Sequence, residues 1–209
     1  TYCRCYFNCY FRLMAIAING STNVITGVAV GGLPDGCVDT DTLATSVTRG
    51  TILQVKNAIK TDTASNSSTT PADISGLTIS ITPSSSSNKI LFRGYVSLGT
   101  QLNGSGILKI FRDSTEIGKS TADSTAANNS TAAIKILNAG STTTTGRNQI
   151  WQVQFEVLDT PNTTSAVTYK CQFAEIHINA AIYVNRSYSG TSSDKHGVIS
   201  SVTAMEVAA

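Results

Sequence analysis

The sequence is short of charge. Its 15 Lys and Arg and 13 Asp and Glu make up 13% of 209 residues and leave a net charge of +2. Such a balance provides no electrostatic footprint for nucleic acid or for an anionic membrane. Nor does any stretch approach the roughly 18 apolar residues that a membrane-spanning helix needs. Few residues favour long helices, because Lys and Glu are scarce, whereas Thr and Val, which favour strands, abound. The five cysteines form no disulfide framework: their number is odd, with Cys3, Cys5 and Cys9 crowded together and Cys37 and Cys171 far away. Cys3 and Cys5 lack a second ligand pair at zinc spacing, so no metal and no cofactor is expected. Residues 1–13 contain no continuous apolar core and no small-residue cleavage site, and so do not read as a targeting signal. A cleaner pattern begins at Met14, where translation is expected to start.

What the sequence does contain is alternation. Leu77, Ile79 and Ile81 alternate with Thr78, Ser80 and Thr82, the period-2 mark of a strand with one wet face. Pro83 and four serines then turn the chain, and it resumes with Ile90, Phe92, Val96 and Leu98 opposite Arg93, Tyr95 and Ser97. Two such strands joined by a polar tip predict an antiparallel sheet unit. Leu53, Val55 and Ile59 alternate with Gln54, Lys56 and Lys60. Asn103-Gly104 marks a turn, and residues 107–118 predict a hairpin. Trp151, Val153, Phe155 and Val157 point inward against Gln152, Gln154 and Glu156. Val167, Tyr169, Cys171 and Phe173 continue the pattern, with Cys171 as a small buried hydrophobe. At Ala174 the phase flips, so that Ile176, Ile178, Ile182 and Val184 become the apolar set, which predicts a bulge or a bend onto a second sheet. A final strand closes residues 198–208. Eight or more short strands without a fixed repeat predict an all-β fold, an antiparallel two-sheet β-sandwich of jelly-roll type over residues 50–209.

Residues 1–49 predict an extended N-terminal attachment or stalk segment. Ile16, Ile18, Val24, Ile25, Val28, Val30, Leu33 and Leu43 are too few and too strung out to close a core, so they are the candidate docking residues, packing on copies or on another protein. Asn19-Gly20 favours a tight hairpin. Asp39 or Asp41 reads as an N-cap of a short helical turn rather than as a calcium ligand, since the other loop ligands are missing.

The run ITGVAVGGLPDGCVDTDTLA at residues 25–44 resembles the N-terminal segment of tail-fibre-like structural proteins of tailed phages, marine and cyanobacterial ones especially. The resemblance continues through DISGLTISITP at residues 73–83, NKIL at 88–91, YVNR at 183–186 and SVTAMEV at 201–207. It implies a virion component displayed on the particle exterior, a homo-oligomer with threefold assembly favoured, and attachment to other virion proteins through the N-terminal segment.

Catalysis finds little support. Glu156 and Glu175 are expected on neighbouring strands, where outward charges form a solvated face rather than a glycosidase pair. His177 and His196 are accompanied by no nucleophile elbow or phosphate loop. Binding is better supported: Tyr183, Asn185, Arg186 and Tyr188, with the loop 190–197, form the candidate receptor or glycan contact. Trp151 shares the phase of Val153 and is expected in the core. The leading reading is a non-enzymatic phage tail-fibre or similar appendage protein. A capsid-decorating or collar protein is one alternative, and a stand-alone carbohydrate-binding or hydrolytic protein is another.

Overall fold

The computed structural model describes residues 17–19, 24–26, 52–100, 104–121, 130–135, 149–176, 181–188 and 196–209. The chain divides into two units, Thr1–Arg49 and Gly50–Ala209. In the first, β1 (Ala17–Asn19) and β2 (Val24–Thr26) pair antiparallel, with Ile18 opposite Ile25 and Asn19 opposite Val24. The register makes Asn19 a paired strand residue opposite Val24 and not the first residue of a two-residue Asn-Gly turn; the connecting residues 20–23 lie outside the described residues. Ile16, Val28, Val30, Leu33 and Leu43 lie outside the described residues, as does the course of the chain from residue 27 to residue 51.

The second unit is an antiparallel β-sandwich. Its strands are β3 (Ile52–Lys60), β4 (Ala64–Asn66), β5 (Ala72–Ile81), β6 (Lys89–Thr100), β7 (Ser105–Arg112), β8 (Thr115–Ile117), β9 (Ala132–Lys135), β10 (Trp151–Asp159), β11 (Val167–Glu175), β12 (Ile182–Val184) and β13 (Ser200–Val207). One sheet is built around β6. On one edge of β6 lies β10, and on the other lie β13 and β12 end to end, backed by β3 and β4 respectively. The other sheet runs β5–β11–β7, with β8 and β9 sharing the far edge of β7.

The inward sets meet as one apolar layer. Phe92 of β6 packs against Phe155 of β10 and, across the sandwich, against Tyr169 of β11, both at 5.3 Å between ring centroids. Such aromatic contacts add about 0.5–1.5 kcal/mol each beyond the area they bury. The Tyr169 hydroxyl is satisfied by donating to Asp159 Oδ2 at 2.6 Å. Burial first, and the Asp159 carboxylate second, push the Tyr169 pKa far up. Arg112 donates to both Asp159 oxygens at 2.9 and 2.7 Å, so three strands from two sheets share one polar clasp. Cys171 is fully buried and unbridged, and burial pushes its thiol pKa up. It is an inert hydrophobe there.

Three expectations are corrected. The strands on either side of the serine tip do not pair. Among the described residues β5 pairs with β11 alone, and β6 lies in the other sheet, so residues 82–88 form an arch between layers. The buried Glu206 carboxylate accepts from the Ser84 amide at 2.6 Å, the Ser84 hydroxyl at 2.7 Å, Asn88 Nδ2 at 2.7 Å and Gln54 Nε2 at 2.6 Å, and so fixes that arch. Second, β3 is inverted: Ile52, Leu53, Val55 and Ile59 are exposed while Lys60 is buried, its ammonium bonded to Asp62 at 2.8 Å. Third, Glu156 and Glu175 are not neighbours, since β10 and β11 belong to different sheets, and Glu175 is buried. The phase change near Ala174 coincides with a change of sheet: β11 alternates without interruption through Phe173, and the chain then leaves this sheet to enter the other as β12. The register shift beside Lys170 and Gln172 has its extra residues on β5, between Thr78 and Asp73.

Candidate functional site

The β6 sheet turns one face to the core and the other outward. Ile90, Phe92, Val96 and Leu98 of β6 face the core, and Leu91, Arg93, Tyr95, Ser97 and Gly99 lie on the outer face, where Ser97 and Gly99 are covered in turn by Ile199 and by the Arg186–Ser187 backbone. Cross-strand register then sets the neighbours. Tyr95 is opposite Gln154 on one side and Ser201 on the other; Arg93 is opposite Glu156 and Thr203; Leu91 is opposite Leu158 and Met205. Directly opposed side chains stand about 4.5–5.5 Å apart at Cβ, close enough to act together.

The first two rows line an open groove of ≈ 540 Å³ formed by Arg93, Tyr95, Gln154, Glu156, Ser201 and Thr203, with the backbone of Gly94 and Phe155 as its floor. Arg93 and Glu156 stand 3.5 Å apart across its width, both exposed. Asn57 fixes the hydroxyl side by donating to Ser201 Oγ at 3.1 Å and Thr203 Oγ1 at 2.9 Å. The groove thus presents a phenol, a carboxamide, a guanidinium, a carboxylate and two hydroxyls, which suits a polyhydroxylated ligand. The backbone is tight at Gly94, where a β-carbon would run into the Ser201 carbonyl oxygen.

Farther along the same face stand the aromatic candidates. Tyr183 of β12 is opposite Gly99. The Arg186 guanidinium lies 3.9 Å from the centre of the Tyr183 ring, and the Tyr188 ring is 5.8 Å from it. A cation over an aromatic face at this range contributes about 0.5–1 kcal/mol at an exposed site. Tyr183, Arg186 and Tyr188 therefore form one cluster, as a contact site requires.

Asn185 does not belong to it. Its side chain is buried, with Nδ2 donating to the Lys60 carbonyl at 2.8 Å and the Asp62 carbonyl at 2.9 Å, and Oδ1 accepting from Ser200 Oγ at 2.6 Å. Its φ is +63°, a left-handed conformation that Asn tolerates better than most residues. Asn185 is the support beneath the cluster and has no surface to offer a receptor. His177 and residues 189–195 of the predicted loop lie outside the described residues. Trp151 is corrected too. It shares the inward phase of Val153, but it opens β10 at the rim, where the core ends, and is 50% exposed.

Sequence reasoning identified the outward residues of β6 and β10 but not the groove. Its third wall is β13, more than 100 positions from β6 in sequence, and nothing local to Ser201 or Thr203 signals that neighbour. Among the described residues no three His, Cys, Asp or Glu side chains are grouped as a metal site.

No family model matches the chain and no curated protein matches it in sequence. Among solved structures, one similar chain belongs to the infectious bursal disease virus Gx strain, at TM-score 0.34 and 10% identity over 74% of this chain and 37% of that one. A second belongs to the infectious bursal disease virus VP2 subviral particle, at TM-score 0.33 and 10% identity over 74% of this chain and 41% of that one. The chain thus spans about two fifths of the length of either similar chain.

Proposed function

We propose that this chain is a structural component of a virion, an appendage of tail-fibre type on a tailed phage, whose β-sandwich meets other surfaces through the outward face of the β6 sheet. The observation that carries the contact role is that face itself. One plane holds the groove around Tyr95 and Gln154, the Tyr183–Arg186–Tyr188 cluster and exposed Val55, Ile59 and Leu158. Exposed apolar groups gathered on one rigid face are characteristic of contact surfaces. The phage assignment is supported by the sequence resemblance in residues 25–44, 73–83, 183–186 and 201–207. Attachment through residues 1–49 and self-assembly belong to the same reading.

The aromatic cluster gives the appendage a means of holding host-surface glycan. Sugar rings present apolar C–H faces to aromatic side chains, while their hydroxyls bond to guanidinium and amide groups. Peptide mass spectrometry of purified particles tests the main proposal: this chain should be present at a fixed copy number. Its absence from intact particles would overturn the reading. Labelled antibody on those particles places it on tail or capsid, which separates a fibre from a capsid-decorating protein.

A further inference from the structure

Every long polar side chain of β3 is turned away from that strand's free edge. Gln54 and Lys56 reach across to β5, donating to the Thr82 carbonyl at 2.7 Å and the Ser80 carbonyl at 2.7 Å. Asn57 folds back on β13, donating to the Val202 carbonyl at 2.9 Å as well as to Ser201 and Thr203. Lys60 is buried against Asp62. Among the described residues β3 pairs with β13 alone, so a nine-residue strand leaves one row of backbone groups open. The outward side chains beside that row are Leu53, Val55 and Ile59, with Val55 57% and Ile59 56% exposed. Soluble sandwiches normally guard such an edge with lysine, proline or a bulge. β3 has one such guard, a bulge at Leu53, where Gln54 faces Glu206 and Ile52 faces Val207; its lysines are turned to β5 and to Asp62, so residues 54–60 are left open.

We infer that β3 is a strand-pairing edge whose partner is β3 of a second copy, joined antiparallel about a two-fold axis at Asn57. Self-complementarity selects both partner and register. Centring the pair on Asn57 sets Val55 opposite Ile59 of the second copy, a β-branched pair on the outward face, and Lys56 opposite Ala58. Centring it on Lys56 would oppose Lys56 to its own copy, and centring it on Ala58 would oppose Lys56 to Lys60. Like charges directly opposite one another are destabilising. The Asn57 register avoids both clashes and adds main-chain hydrogen bonds across the interface, the mode of strand addition. One edge strand buries less than the roughly 1,000 Å² of a permanent interface, so the pair is a weak one. The inference is independent of the virion reading, since it concerns the isolated chain. A two-fold contact also differs from the threefold assembly that the resemblance implies.

The test uses the full chain. Sedimentation should show a monomer–dimer equilibrium in the micromolar range, and hydrogen exchange of residues 52–60 should slow as concentration rises. Val55→Lys alone and Ile59→Glu alone should each weaken the dimer at least tenfold, with unchanged melting of the monomer, because both side chains are exposed. Mixing these two variants should restore a heterodimer, since the new lysine then faces the new glutamate while the second Val55–Ile59 pair stays intact. A monomer up to about 100 µM, or an oligomer indifferent to both variants, would overturn the proposal. Protection of residues 52–60 that does not vary with concentration would overturn it too, since the chain's own residues would then cover the edge. If either variant unfolds, Val55→Thr and Ile59→Thr keep the strand and should still weaken the dimer, and no weakening by them counts against it.

Discussion

The two ends of the β6 sheet solve one problem with opposite chemistry. At the serine-arch end the buried hub is a carboxylate, Glu206, held by Ser84, Asn88 and Gln54 with no cation in the set. At the aromatic end the hub is a neutral amide, Asn185, which ties β12 to Lys60, Asp62 and Ser200. Burial favours an uncharged hub, since an ionised group loses far more on leaving water than an amide does. Glu206 stays ionised because its neutral donors together outweigh that cost. Burial pushes its pKa up, the bonds from Asn88, Gln54 and Ser84 pull it down, and the net result is about 2. The carboxylate hub therefore titrates with acid and the amide hub does not, although the Asp62 carboxylate beside the amide hub is also held down, by Lys60.

Removing the amide hub should produce the largest loss. Asn185→Ala leaves the Lys60 and Asp62 carbonyls and the Ser200 hydroxyl without their partner and keeps a β-carbon at φ +63° without the polar side chain that lets Asn tolerate it, so a destabilisation of roughly 3–4 kcal/mol is expected by chemical denaturation. Asn185→Gly separates the causes. It accepts the backbone conformation, so it should recover about 1 kcal/mol of that loss. If the two variants are equally unstable, backbone strain plays no part.

Acid provides the next contrast. A carboxylate whose folded pKa lies below its unfolded value of about 4.3 contributes stability that is complete above that value and is lost as pH falls through the folded pKa. The Glu206 share, about 3 kcal/mol at most, should disappear between roughly pH 4.5 and pH 2. Glu206→Gln should remove that share of the acid limb and leave the remainder, to which Asp73 contributes: its pKa is held down by Gln172 first and Lys170 second. Unfolding curves of both proteins across this range test the sign. An unchanged acid limb in the variant would show that the arch does not depend on ionised Glu206.

Tyr169→Phe should cost less, about 1–2 kcal/mol, because it deletes one charge-assisted bond while Arg112 still holds Asp159. Tyr183→Ala should cost least, under about 1 kcal/mol in thermal unfolding, because the ring lies on the surface and not in the core. The same change should abolish any glycan binding detected by saturation-transfer NMR. Binding that survives it would place the contact elsewhere, with the Tyr95 groove as the next locus.

Much of the core follows from alternation alone. Phe92, Val153, Phe155, Val167, Tyr169 and Cys171 are where period 2 puts them, because a strand has only two faces and water claims one. The aromatic cluster was equally legible, since Tyr183, Arg186 and Tyr188 are close in sequence and need no distant partner to meet. Asn185 broke the pattern. Its neighbours made it look like a contact residue, but its bonds reach back more than 120 positions.

By itself the sequence determined that most of the described strands between Ile52 and Val207 form, and for most of them which side chains face inward, because those properties reside in neighbouring residues. Tertiary structure alone decided which sheet each strand joined, that the serine tip arches between layers, that Glu206 and Lys60 are buried, and that β3 turns its apolar side out. Those outcomes depend on pairings between distant segments, and a two-residue period carries no information about the partner.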